Sequence, residues 1–173
     1  MSEKTQGEEL KEKLFNNKKN GWESVSEEEG RNIFNYCDGY MKFLNEAKTE
    51  REIVKRATEI AKENGYKEIS EYNTLKAGDK VYYINKDKNL FLAVIGEENI
   101  ENGINIVGSH ADSPRLDLKP NPVYEDHGFA YFKTHYYGGI KKYQWTAIPL
   151  SIHGVVIKTN GEKVEINIGE KDD

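Results

Sequence analysis

The stretch Ile104-Asn105-Ile106-Val107-Gly108-Ser109-His110-Ala111-Asp112-Ser113-Pro114 decides how this chain is read. After the turn Glu101-Asn102-Gly103, residues 104–108 read as a strand buried in a sheet. That strand points directly at a small-residue turn carrying His110 and Asp112. In extended backbone, residues i and i+2 face the same way. The Asp112 carboxylate can therefore accept a hydrogen bond from one imidazole nitrogen of His110. This fixes the tautomer and leaves the other nitrogen free for a metal ion. The place fits as well, because ligands of open α/β sheets bind at the carboxyl ends of strands. Gly108 and Ser109 leave room for a close approach. The plainer alternative is a His and an Asp satisfying each other in a turn, since His-x-Asp is a loose pattern.

One imidazole is not a metal site. Catalytic zinc takes three protein ligands. The other histidines, His127, His135 and His153, show no His-x3-His or Glu-x-x-His spacing. His127 falls in a turn, His135 and His153 fall on predicted strands, and all three read as structural. There is no Gly-x-Ser-x-Gly, no phosphate-binding glycine loop and no Cys-x-x-Cys.

Upstream, the pattern is helical. Residues 8–15 form a short candidate. Ser26 with Glu29 makes a capping box, and Ile33, Phe34, Cys37, Met41 and Leu44 recur at helical spacing, which predicts an amphipathic helix over 27–47. Cys37 on that face reads as a small core residue. Thr49 starts a second helix with Ile53, Val54, Ala57, Ile60 and Ala61 on one face and Gly65 as its stop. The period then changes. Residues 81–84 and 90–95 are strand candidates joined through Asn85–Asn89, the second apolar enough to be buried on both faces. Downstream come short strands over 116–119, 129–134, 150–158 and 164–168, the last two joined by an Asn160-Gly161 turn.

The chain has 173 residues, 36% of them hydrophobic and 32% charged, with 25 Lys+Arg against 30 Asp+Glu. That balance excludes a disordered tail, a collagen and a membrane span. A net charge of −5 argues against a general nucleic-acid binder. The single cysteine precludes an intrachain disulfide, which points to the reducing cytoplasm. The opening Met1-Ser2-Glu3-Lys4 has no apolar signal region. An aromatic cluster, Tyr124 to Trp145, could stack bases, but with sparse lysines it reads as a packed strand face or a subunit interface.

On Gly108-Ser109-His110-Ala111-Asp112-Ser113-Pro114, followed by Tyr137-Gly138-Gly139, Trp145 and the apolar run 150–157, the sequence resembles the aspartyl aminopeptidase family of dinuclear zinc exopeptidases. The resemblance covers most of the chain. It implies an α/β fold: residues 1–118 as the N-terminal part of an α/β/α zinc-exopeptidase catalytic domain, and residues 119–173 as the beginning of an inserted β-rich oligomerisation domain. It also implies that His110 is a metal ligand to one of two zinc ions, other divalent metals being alternatives, and that Asp112 orients its imidazole as a catalytic-site residue. The implied partners are peptide substrates and further copies of the chain, with no nucleic acid and no membrane. Trp145 is followed by Thr146-Ala147-Ile148-Pro149 where many members carry Asp-Arg-Asp, which implies a divergent bacterial-type branch. Members are over twice as long, and the base glutamate and other ligands would lie beyond Asp173. The expectation is thus a metallo-aminopeptidase fragment, inactive alone. The alternative is a non-catalytic binding or assembly module that retains the fold.

Overall fold

The computed structural model describes residues 5–16 and 18–170. The polar opening, Met1–Lys4, and the terminal Lys171–Asp173 lie outside the described residues. The chain forms two units, residues 1–42 and 43–173.

In the first unit, α1 (Gln6–Leu14) opens on Thr5, whose amide and hydroxyl both donate to Glu8 Oε2, at 2.8 and 2.9 Å. The helix α2 (Glu27–Glu46) starts at the expected capping box. The Ser26 amide donates to Glu29 Oε2 at 2.9 Å, and the Glu29 amide donates back to Ser26 Oγ at 3.2 Å. Two otherwise unpaired amides are satisfied at once. Trp22 stacks on Phe34 with ring centroids 6.1 Å apart. The apolar stripe is present but open: Phe34 and Met41 are exposed, and so is Cys37. The expectation of a core cysteine is corrected here. A stripe is buried only where a second element lies on it, and periodicity alone cannot supply that element.

The second unit is organised by α3 (Glu50–Glu63), which begins at Thr49 as predicted, with Thr49 as its cap. Its buried residues Val54, Thr58 and Ala61 share one face with the expected apolar positions. Thr58 lies inside that face because its hydroxyl donates to the Val54 carbonyl at 2.6 Å, so no polar group is left unpaired. The face packs on a three-stranded sheet in the order β1 (Lys67–Glu68), β2 (Lys80–Asn85), β3 (Asn89–Val94). β1 runs parallel to β2, and β3 runs antiparallel to it. Val81 and Tyr82 of the central strand complete the core with Ala47. The β2–β3 hairpin turns through Lys86 and Asp87, both left-handed (φ 53° and 56°), which matches the twist that paired strands need.

Two expectations fail in this unit. The run 90–95 does form a strand, but β3 is the edge of its sheet, and Phe91, Leu92 and Val94 are exposed. The stretch 104–108 forms no strand; Val107 is fully exposed and Ile106 nearly so. A strand is defined by its neighbour's hydrogen bonds, and among the described residues no strand lies beside this one.

Beyond Pro114, β4 (Arg115–Asp126) and β5 (Phe129–Tyr137) form a long antiparallel ribbon. β4 runs further than expected, through Pro120-Asn121-Pro122. The register shifts between Leu118 and Val123, where proline cannot donate to the ladder. The ribbon reverses at His127-Gly128 with φ 51° and 79°. After a one-turn helix α4 (Lys142–Trp145), β6 (Ile152–Ile157) and β7 (Lys163–Ile168) form a second hairpin. Its turn is the expected Asn160-Gly161, with Gly161 left-handed at φ 84°. The result is an α/β chain of mixed helices and sheets.

Candidate active site

His110 and Asp112 sit between the unpaired stretch 104–108 and the start of β4. His110 Nδ1 lies 3.1 Å from Asp112 Oδ1 and 3.0 Å from the Asp112 carbonyl oxygen. With acceptors on that side, Nδ1 is the donor, and in the neutral ring that tautomer leaves the lone pair on Nε2. The imidazole is 82% exposed and the Asp112 side chain 34%. The Asp112 carboxyl lies below its usual range, chiefly through hydrogen bonding from the Tyr137 hydroxyl, then from its own backbone amide, with a smaller contribution from His110. The same contact pushes the Tyr137 phenol up.

Tyr137 reaches Asp112 because the ribbon places it there. Arg115 and Tyr137 are partners in the β4–β5 register, and the Arg115 guanidinium lies 4.2 Å from the centre of the Tyr137 ring. The guanidinium also meets Glu50 at the start of α3 (3.0 Å) and Asp117 (2.7 Å). Gly138 follows with φ 72°, and a Cβ there would stand 3.3 Å from Pro114 Cα. The end of β5 is thus pressed against the Ser113-Pro114 turn.

Among the described residues, no group of three His, Cys, Asp or Glu side chains could hold a metal ion. The donor chemistry of His110 nevertheless fits one ligand of such a centre, since Nδ1 is held and Nε2 is open.

The family model described as aminopeptidase I zinc metalloprotease (M18) matches residues 43–173. The chain belongs to the M18 aminopeptidase family.

Among the relatives of this M18 chain, the protein named "Probable M18 family aminopeptidase 1" of Borrelia garinii subsp. bavariensis is 52% identical over 155 residues, covering 90% of this chain and 34% of that protein. The crystal structure of aminopeptidase I from Borrelia burgdorferi superposes with a TM-score of 0.84 at 49% identity, over 87% of this chain and 37% of that one. The M18 aminopeptidase from Thermotoga maritima gives 0.83 at 42% identity, over 91% and 34%. The chain therefore spans about a third of the length of these relatives.

Of the other histidines in this M18 chain, His127 sits in the ribbon turn beside Asp126 (2.8 Å) and is 89% exposed. His135 stacks on Tyr136 with centroids 5.3 Å apart. His153 lies on β6 between two carboxylates, far in sequence from both. The aromatic cluster lines the solvated ribbon: Tyr124 stacks on Tyr131 at 5.3 Å, and Lys133 covers Tyr124. No helix among the described residues is long and apolar enough to cross a membrane. Sequence reading assigned no role to Arg115, Glu50 or the Tyr137 hydroxyl. The alternation in β4 offered only that Arg115 and Asp117 share a face.

Proposed function

We propose that this chain is the N-terminal part of a dinuclear zinc aminopeptidase that removes N-terminal residues from peptides. The single observation carrying this reading is the His110 imidazole, whose Nδ1 is tied to Asp112 while its Nε2 stays open. In this reading His110 ligates one of two zinc ions and Asp112 orients it. The metal centre supplies Lewis-acid polarisation of a peptide carbonyl and an acidified water. This chain's contribution is to hold the ligand's tautomer and aim. The exposed His110 leaves its open nitrogen accessible to a metal ion, whose remaining ligands would come from outside residues 1–173.

The domain boundary near residue 118 belongs to the same proposal, with residues 119–173 opening an oligomerisation domain whose aromatic ribbon meets further copies of the chain. So do a cytoplasmic location and the inactivity of residues 1–173 alone. One imidazole cannot hold two zinc ions.

The test is zinc content and turnover of aminoacyl p-nitroanilides by the full-length protein and by His110→Ala. Loss of zinc and activity in the variant is expected. Turnover surviving in His110→Ala would overturn the assigned role. A full-length protein with neither zinc nor turnover would instead be a non-catalytic binding or assembly module.

A further inference from the structure

We propose that His153 is a protonation-sensitive clasp that fixes the β6–β7 hairpin to α3 and loosens it when the ring loses its proton.

An open cleft of about 610 Å³ lies between α3 and the hairpin, with Val54 and Thr58 on one wall and Val155 and Ile166 on the other. Charged side chains join the two sides. His153 on β6 reaches Glu52 in the first turn of α3, with Nδ1 2.7 Å from Oε1. Lys55, about one turn further along α3, meets Glu165 on β7 at 3.1 Å. Lys163 at the start of β7 meets Asp87 in the β2–β3 turn at 3.4 Å. These contacts are unequal. The two lysine pairs are well exposed, and exposed pairs hold weakly and are screened by salt. The His153 side chain is nearly buried.

The groups facing the ring are Glu52 from α3 and, beside the ends of the hairpin, Ser151 and Glu170; Lys48, just before α3, pairs in turn with Glu170 at 2.7 Å. Two carboxylates on two ring nitrogens require two N–H donors, which only the protonated ring has. The neutral ring has one. Wherever that proton stays, the other nitrogen turns a lone pair on a carboxylate at 2.7 or 2.8 Å. Ser151 can turn its hydroxyl to Nε2 (3.1 Å) only by leaving Glu170, to which it donates at 2.6 Å. Loss of the proton therefore breaks the bridge at one end and removes the charge that strengthens the bond at the other. Burial opposes the charge on the ring, and the two glutamates outweigh it and raise the imidazole above 6.5. The clasp is closed below 6.5 and loosens as pH rises through the raised value.

A two-stranded hairpin is marginal by itself, so its release appears as amide exchange. The experiment is hydrogen exchange of the full-length protein, read by mass spectrometry as protection factors, which remove the intrinsic effect of pH. Peptides from β6–β7 and from α3 are followed from about pH 6 to about pH 9, the range in which a histidine with a raised pKa loses its proton. In wild type the β6–β7 factors should lie below those of α3 at every pH, because the hairpin opens without the helix. They should fall by about 10-fold for each pH unit by which docking raises the imidazole. His153→Gln has no proton to lose, so its hairpin factors should be low throughout and show no pH step. Lys55→Met should lower the hairpin factors less and keep the step. Hairpin factors in wild type that stay level, or a step that persists in His153→Gln, would overturn the clasp. Hairpin and α3 factors that coincide at every pH would overturn its independent release. Lys55→Met as damaging as His153→Gln would place the hold in the exposed pairs and overturn it as well. If His153→Gln fails to fold, Glu170→Gln decides: with one charged partner left on the ring, the step should shrink, and an unchanged step refutes the proposal.

Discussion

His153 holds Glu52 through a 2.7 Å contact between Nδ1 and Oε1, although 101 residues separate them. Its Nε2 lies 2.8 Å from Glu170 Oε1. Carboxylates only accept, so the protonated ring donates from both nitrogens, one to each glutamate. Its side chain is 9% exposed. Glu52 Oε2 meanwhile accepts from the Thr49 amide at 2.9 Å, so one carboxylate both caps α3 and grips β6. Lys48 completes a cluster of two cations and two anions by meeting Glu170 at 2.7 Å.

This cluster sets a pH dependence. Burial opposes the charge on His153, but hydrogen bonds to Glu52 and Glu170 outweigh it and raise the imidazole above 6.5. Burial likewise opposes the Glu52 charge and is outweighed by His153 and Thr49, while Lys48, Ser151 and His153 lower Glu170 to about 2. His153 binds its proton more tightly when folded, so its contribution is complete below 6.5 and fades as pH rises through the raised value. The glutamates bind theirs less tightly when folded, so their contribution is complete above 4.5 and fades as pH falls toward 2. Thermal melts should show wild type losing stability as pH rises above 6.5, with His153→Gln flatter over the same range. Parallel curves would refute the assignment. Near the optimum, His153→Ala is expected to cost about 2 kcal/mol, read from denaturant midpoints.

Thr49 tests the helix end, which shares the Glu52 carboxylate with the imidazole. Its amide and hydroxyl meet Glu52 Oε2 at 2.9 and 3.0 Å, and the Glu52 amide returns to Thr49 Oγ1 at 3.4 Å. Thr49→Ala should destabilise by about 1 kcal/mol, and Thr49→Ser should recover most of it in chemical denaturation.

Gly138 is the third test. Alanine there must adopt φ 72° and place its Cβ 3.3 Å from Pro114 Cα. A left-handed L-residue costs about 1–2 kcal/mol before the contact is counted. Gly138→Ala should lower the melting transition, whereas Gly139→Ala, with open space around its Cβ, should not.

The stretch 104–107 gives opposite expectations in two contexts. In residues 1–173 alone its apolar side chains are exposed, so Ile106→Lys should raise solubility in light-scattering assays. In the full-length protein, if neighbouring strands cover it, the same change should lower the melting transition by burying a charge. Equal behaviour in both contexts would show that no further strand covers this stretch.

Local order was legible from local signals. The capping box at Ser26, the helix start at Thr49, the stop at Gly65 and the Asn160-Gly161 turn each depend on residues within about four positions, and each forms where expected. The His-x-Asp contact was legible for the same reason, since i and i+2 share a side of extended backbone. Burial was not. Cys37, the run 90–95 and the stretch 104–108 all read as core, because apolar periodicity records a tendency to be covered and not the presence of a cover.

The apolar and capping patterns of residues 5–170 settled which segments become helix, hairpin or turn, because those choices are made by backbone sterics and near neighbours. Tertiary structure alone decided that Arg115 lies on the Tyr137 ring and bridges to Glu50, and that His153 joins Glu52 to Glu170. Those partners are 17 to 101 residues apart. Their meeting depends on strand register and on where α3 packs, and no short-range spacing encodes either.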